Sequence, residues 1–474
     1  MTVKLLIPVC LAATMLISCS LAPRYERPMA PVATQWSPSA GVGPELAVEV
    51  AGETHVADIG WRSMFTSPKL LSLIEAALAN NRDLRIATLN IEAARNTYRI
   101  QRADLMPSVN ASGSATRQRL SESTSPAGTT ETISTYTSGI GVTAYELDLF
   151  GRVHTLSNRA LNQYLATEEG GKAAQTSLIA EVANAYLTYL ADSELLQLTE
   201  NTLKTQHETF DLIKRSFDVG AKSQLDVSQA STVVETARAN RAQYQRQAEK
   251  DKNALTLLVG KVIDPELLKP ESLSSVQVME VLPVGLPSPV LLDRPDVRQA
   301  EYALKAENAN IGAARGAFFP SISLTGSAGF ASSSLTNLFV TGSSSVWSFS
   351  PQVNLPIFQG ERLISNLKLA KTNRDIAIAQ YEKTIQTAFR EVADALVASA
   401  TYTEQLHAQQ ALVKSSEQAC TIVKARYAHG IDSYFVLLDA QRSLYAAQQN
   451  EILVRQQNLT NRIDLYKALG GGWK

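Results

Sequence analysis

Cysteine is almost missing from this chain of 474 residues, with only Cys10, Cys19 and Cys420 present. So few thiols exclude a small scaffold stapled by disulfides. Histidine is equally sparse: His55, His154, His207, His407 and His429 show no i, i+3 or i, i+4 pairing, and no cysteine or methionine cluster accompanies them. No metal site is therefore expected. An excess of charge of one sign is lacking too, with 44 basic against 45 acidic residues. Nothing here is built to neutralise a phosphate backbone, so nucleic acid is not an expected partner. Gly170-Gly171-Lys172 has neither the upstream glycine nor the following Ser/Thr of a phosphate-binding loop. With no clustered nucleophile or paired carboxylates in the sequence, no enzymatic activity and no cofactor are expected.

The most informative absence is proline, which does not occur between Pro126 and Pro265 or after Pro356. Into these gaps fit two very long helices, at residues 152–217 and 361–427, each about 100 Å at 1.5 Å per residue. Gly170-Gly171 is a possible local weak point in the first. Each long helix runs to a glycine-containing turn, Asp218-Val219-Gly220 or Ala428-His429-Gly430, and a shorter helix returns to Gly260 or Gly470. Ile385, Phe389, Val392, Leu396, Ser399, Thr403 and Leu406 step by four and three, a heptad-like spacing that predicts side-by-side helix packing. Shorter helical patterns cover residues 68–105 and 294–318.

The two proline-free stretches belong to a duplication. Asp83-Leu84-Arg85 maps onto Asp296-Val297-Arg298, and at the same offset Met106-Pro107-Ser108 maps onto Phe319-Pro320-Ser321. Residues 61–263 form a first structural repeat, 264–293 a linker and 294–474 a second repeat, whose helical hairpin covers 361–470. A period this long is not that of a solenoid.

Each repeat also contains a segment poor in charge and rich in Ser, Thr and Gly. In the second, Ile322, Leu324, Gly326, Ala328 and Phe330 alternate with Ser321, Ser323, Thr325 and Ser327, and Trp347, Phe349, Val353 and Leu355 alternate with mostly polar neighbours. Period-two alternation over about ten residues is the signature of a membrane β-strand with a lipid face and a lumen face. Strands are predicted at 108–119, 134–147, 321–330 and 345–356. Four strands cannot close a barrel, since single-chain barrels begin at about eight. An open edge in lipid costs several kcal/mol for each unpaired backbone group. The chain must therefore assemble with copies of itself, and three copies give twelve strands and an appreciable lumen.

At the N-terminus Lys4 precedes an apolar run ending in Leu16-Ile17-Ser18-Cys19. Residues 1–18 read as a secretory signal peptide, too short to span a bilayer. Leu16-Ile17-Ser18-Cys19 resembles a bacterial lipobox, which makes Cys19 the expected site of lipidation. The proline-rich residues 19–60 read as an extended arm anchored to outer-membrane lipid.

Asn81-Arg82-Asp83-Leu84-Arg85, Glu146-Leu147-Asp148-Leu149-Phe150-Gly151-Arg152, Arg294-Pro295-Asp296-Val297-Arg298, Phe319-Pro320-Ser321-Ile322, Leu355-Pro356-Ile357-Phe358 and Leu438-Asp439-Ala440-Gln441 follow one another in order. Together they resemble the TolC-type outer-membrane efflux family, in its lipoprotein NodT/OprM-like branch, over about residues 60–470. The resemblance implies a mixed α and β membrane protein: a trimeric 12-stranded transmembrane β-barrel, four strands per chain, continuous with a long periplasmic α-helical barrel. It implies the exit duct of a tripartite efflux pump in the Gram-negative outer membrane, working passively with a periplasmic adaptor and an inner-membrane transporter of the RND type. The family closes at its helical tips. Phe435 and Asp439, four apart on one helix face, are the candidate gate rings, Asp226 and Tyr427 candidate tethers between hairpins, and the turns at Val219, Gly220, His429 and Gly430 candidate adaptor-docking points. Ser223-Gln224-Leu225-Asp226 also reads as a capping box, which gives Asp226 a purely local alternative role. Where some relatives carry an arginine in the second turn this chain has Asp432, and Val436 replaces a second ring acid. A lipid-anchored periplasmic coiled-coil scaffold without a pore is the alternative, but it leaves the alternating strands unexplained.

Overall fold

The computed structural model describes residues 20–34, 36, 56–126, 128–279, 287–340 and 342–473. The signal segment 1–18, Cys19 and much of the arm lie outside these. The chain divides into two compact units, one made of residues up to Pro28 with Asn90–Thr167 and Gln299–Tyr381, the other of Met29–Leu89, Glu168–Arg298 and Glu382–Lys474. The principal elements in chain order are α1 (Pro68–Asn80), α2 (Arg82–Ala103), β1 (Val109–Leu120), β2 (Glu131–Leu147), α3 (Arg152–Asp218), α4 (Gln224–Val259), α5 (Pro295–Gly316), β3 (Ser321–Ser332), β4 (Ser345–Asn354), α6 (Arg362–Ala428) and α7 (Tyr434–Ala468).

The strands belong to the first unit and form a single antiparallel sheet in the order β1-β2-β3-β4. Register sorts the side chains as the alternation predicts. Ala111 pairs with Ile140, Ile140 with Ala328 and Ala328 with Trp347, while Gly326 pairs with Phe349 and Ile322 with Val353, so one face is apolar. Trp347 on that face is 80% exposed within the chain. The other face carries hydroxyls, and cross-strand pairs bond there, Ser114 to Thr137 at 2.7 Å and Ser327 to Ser348 at 2.8 Å. A bulge between Val142 and Tyr145 breaks the ladder, with Ala144 at φ 52° and its N–H donating to Thr325 Oγ1 at 3.1 Å. Bulges re-aim a strand in this way. Within the chain, β1 and β4 each pair on one side only.

The Glu146-to-Arg152 motif joins this sheet to α3. Asp148 caps the helix, accepting from the Val153 and His154 N–H groups at 3.1 and 2.7 Å, and Glu146 takes a two-pronged bond from the Arg152 guanidinium. Phe150 stacks on Phe319 with ring centres 4.6 Å apart, and Gly151 supplies a φ of 69°. The start of the arm is bound in the same unit. Glu301 on α5 accepts from Tyr25 and from two nitrogens of Arg27 and pairs with Lys305, while Asn308 and Arg315 donate to the Pro23 and Leu21 carbonyls. These cations hold the Glu301 carboxyl below its ordinary range although burial opposes them.

Two local expectations need correction. The helical pattern over 68–105 is broken at Asn81, which ends α1 in an extended conformation and caps α2 by accepting from the Leu84 N–H at 2.9 Å. Its amide also donates to the Leu258 carbonyl at the end of α4, and its backbone N–H donates to the Ala77 carbonyl in α1, so one residue serves three helix ends, two of them through its side chain. Gly170-Gly171 is no weak point, since α3 runs through it unbroken with an ion pair from Lys172 to Glu169 at 2.9 Å across that turn. The heptad-like row of α6 is buried at Ile385, Val392 and Leu396, whereas Thr403 is exposed. In the second unit Arg294, 7% exposed, is held by Asp296, Glu391 and the Ala468 carbonyl, which explains the Arg294-Pro295-Asp296 motif structurally.

A candidate gate at the helical turns

The two hairpin turns are built identically. Gly220, at φ 80°, donates to the Phe217 carbonyl at 2.8 Å while Ala221 donates to Ser216 at 2.8 Å; Gly430, at φ 71°, donates to Tyr427 at 3.0 Å while Ile431 donates to Arg426 at 2.9 Å. This is the paired bonding of a Schellman motif, and the left-handed backbone at its centre favours glycine. Open space surrounds both glycines. Val219 and Ile431 stand exposed beside them.

The return helices begin differently. Ser223 and Asp226 form a reciprocal capping box at α4, with the Asp226 carboxylate accepting the Ser223 N–H at 3.0 Å and its hydroxyl at 2.8 Å. Those two bonds, with Lys222 nearby, hold the Asp226 carboxyl below its usual range. Ser433 occupies the corresponding position before α7, but its hydroxyl accepts no capping bond. Asp432 instead takes both arms of the Arg426 guanidinium, at 2.7 and 3.0 Å, and closes the second turn. The sequence signalled this pair only as an acid and a base flanking a glycine turn.

Behind the turns an apolar cluster joins the two hairpins: Ile213, Ala230 and Val233 from the first, Tyr434, Leu437 and Leu438 from the second, with Phe210, Val227 and Tyr427 against it. Tyr427 packs here, its ring 6.0 Å from that of Tyr434 and covered by the Lys222 ammonium at 4.7 Å. Burial raises the Tyr434 phenol to about 12, so it stays neutral. Because Tyr434, Leu437 and Leu438 face the cluster, Phe435 and Asp439 are turned away from it. Phe435 is 60% exposed and Asp439 is exposed beside it. One missed residue emerges from the repeat: Leu225 occupies in the first hairpin the place of Phe435 in the second, and it is 65% exposed.

Among the described residues no helix is long and apolar enough to cross a membrane and no three His, Cys, Asp or Glu side chains converge as metal ligands. The sequence profile of a family described as Outer membrane efflux protein matches residues 73–261 and 286–471. The antibiotic efflux pump outer membrane protein ArpC of Pseudomonas putida is 50% identical over 99% of this chain and 96% of its own length. The outer membrane protein OprJ of Pseudomonas aeruginosa is 44% identical over 98% of this chain and 95% of its own. Among solved structures, the open state of the MtrE outer membrane channel of Neisseria gonorrhoeae is 39% identical, with a TM-score of 0.87 over 96% of this chain and 99% of that one. Four strands with an apolar and a hydroxyl face, two long helical hairpins and these likenesses over nearly the whole length agree: the chain belongs to the outer membrane efflux protein family and is an outer-membrane efflux channel protein, of the TolC type.

Proposed function

We propose that three copies of this chain assemble into the exit duct of a tripartite pump, each supplying four strands to a twelve-stranded barrel and two hairpins to a helical tunnel. The observation that carries this reading is the sheet itself. It is apolar on one face, lined with hydroxyls on the other, and paired on one side only at β1 and β4. In lipid those edges would leave backbone groups unpaired, and self-association is the way to close them. A periplasmic adaptor docks on the turns around Val219, Gly220, His429 and Gly430, and an inner-membrane transporter of the RND type drives the cargo. The duct itself conducts passively and performs no chemistry. Relatives named for antibiotic and for toluene efflux support small organic molecules as cargo here. Added to a planar bilayer, the purified protein should open ion-conducting pores; a bilayer that stays sealed at high protein load would refute the reading.

Phe435 and Asp439 are the gate in this proposal, forming an apolar ring and an anionic ring when three copies meet. Asp226 and Tyr427 stand as tethers between hairpins, Asp226 through carboxylate lone pairs beyond those its cap uses. Cys19 carries the lipid. Cys19→Ser should therefore lower the mature mass by that of the acyl chains and slow processing while the barrel still inserts; unchanged mass and mobility would rule the anchor out.

A further inference from the structure

The first hairpin holds two carboxyls against each other. In the antiparallel packing of α3 on α4, Arg241 reaches Glu200 at 3.3 Å and Ile213 shares a cluster with Ala230. The same register places Asp192 opposite Asp251. Asp251 is only 9% exposed; its Oδ1 accepts from Gln247 at 3.0 Å, and its Oδ2 is buried with no donor. The carboxyl of Asp192 lies within side-chain hydrogen-bonding reach of the Asp251 carboxyl. Two ionised carboxylates are acceptors only, so both ionised they leave Oδ2 unsatisfied and add like-charge repulsion. One proton between them removes both costs.

We propose that Asp192 and Asp251 form a proton-binding site between the helices of the first hairpin, one proton shared by the pair and coupling the packing of α3 on α4 to pH.

The surroundings fit this ligand. Burial, then the facing Asp251, pushes Asp192 up to about 7. Among the described residues Asp251 is the charged group that acts on Asp192, and the phenol of Tyr244 is the other titratable group in its field. Burial raises Tyr244 as well, and its oxygen accepts from Gln449 at 2.9 Å, so it contributes no charge at neutral pH. Among the described residues no cation acts on Asp192. The duplication supplies an internal comparison: the offset that superposes Gly220 on Gly430 places Tyr402 and Asn461 at these two positions of the second hairpin. There Asn461 donates to the Ala395 carbonyl at 3.0 Å. A neutral pair is thus compatible with a closed hairpin, and the two acids are a feature of the first hairpin only.

The sign of the pH effect follows from linkage. The folded chain keeps the shared proton between the unfolded carboxyl value of 3.8 and about 7, where the unfolded chain has lost it. Stability therefore falls as pH rises through that window and levels above it. Asn at position 251 supplies an N–H to the Asp192 carboxylate in place of the proton. Apparent thermal midpoints of the detergent-solubilised assembly, measured at a fixed scan rate from pH 5 to 9, should thus decline for the wild type up to neutral pH and decline less for Asp251→Asn. The variant's lead should grow by several degrees across the window and stay constant above it. Infrared difference spectra at pH 6 should show a protonated carboxyl band in the wild type that is missing from both Asp192→Asn and Asp251→Asn. A lead independent of pH, or a spectrum without that band, overturns the proposal. So does selective stabilisation of the wild type by sodium or calcium at pH 8, which would assign the pair to a metal cation instead.

Discussion

Phe435→Ala combined with Asp439→Ala is expected to raise single-channel conductance severalfold in planar bilayers and to remove most of the pore's preference for cations. Both side chains are exposed on the face of α7 opposite the cluster of Tyr434, Leu437 and Leu438. Removing them therefore opens space without touching the contacts between hairpins. Each carboxylate of a three-fold ring attracts a passing monovalent cation by about 1 kcal/mol at 4 Å in water, less after screening by salt. The ring together then contributes roughly 1–2 kcal/mol, about tenfold in ion selectivity. Steric and electrostatic parts separate in the single variants: Phe435→Ala should change mainly conductance, Asp439→Ala mainly selectivity. A double variant that conducts and selects like the wild type would move the constriction elsewhere, with Leu225 of the first hairpin the next side chain to truncate.

The second large effect concerns the sheet. Phe349 lies on the apolar face opposite Gly326, and its neighbour Ser348 lies on the hydroxyl face opposite Ser327. Phe349→Arg should eliminate the protein from the outer membrane, because a cation on the lipid face near the bilayer midplane costs about 2–4 kcal/mol. Three copies multiply that to roughly 6–12 kcal/mol per barrel. Ser348→Arg places the same charge one residue away in the lumen and should still insert, with altered conductance. Equal loss of both proteins from the outer-membrane fraction, or loss of Ser348→Arg alone, would contradict the assignment of faces.

That assignment was readable in the sequence because strand alternation is local: Trp347, Phe349 and Val353 declare their face without reference to any partner. The long helices were readable for a similar reason, since proline is absent and the glycines at 220 and 430 mark where the backbone must turn left-handed. What the sequence did not disclose depends on distant partners. Asn81 breaks a convincing helical pattern because its amide finds the Leu258 carbonyl, a contact between residues 177 positions apart. The role of Asp432 depends on Arg426, which holds it across the turn. Gly170-Gly171 read as weak because propensity disfavours glycine in helices, yet α3 stays continuous there. Asp192 and Asp251 lie 59 residues apart and meet only through the register of two antiparallel helices. For the gate, the face shared by Phe435 and Asp439 was visible from their spacing, whereas its exposure depends on which other face of α7 the apolar cluster buries.

If this chain is one third of a pore, the mass of the intact detergent-extracted particle must be that of three chains. Native mass spectrometry, with circular dichroism on the same sample, should find three chains and the β-signal of a closed barrel. A single chain that retains the full β-signal would contradict a shared barrel, because four strands with two open edges cannot stand alone in lipid.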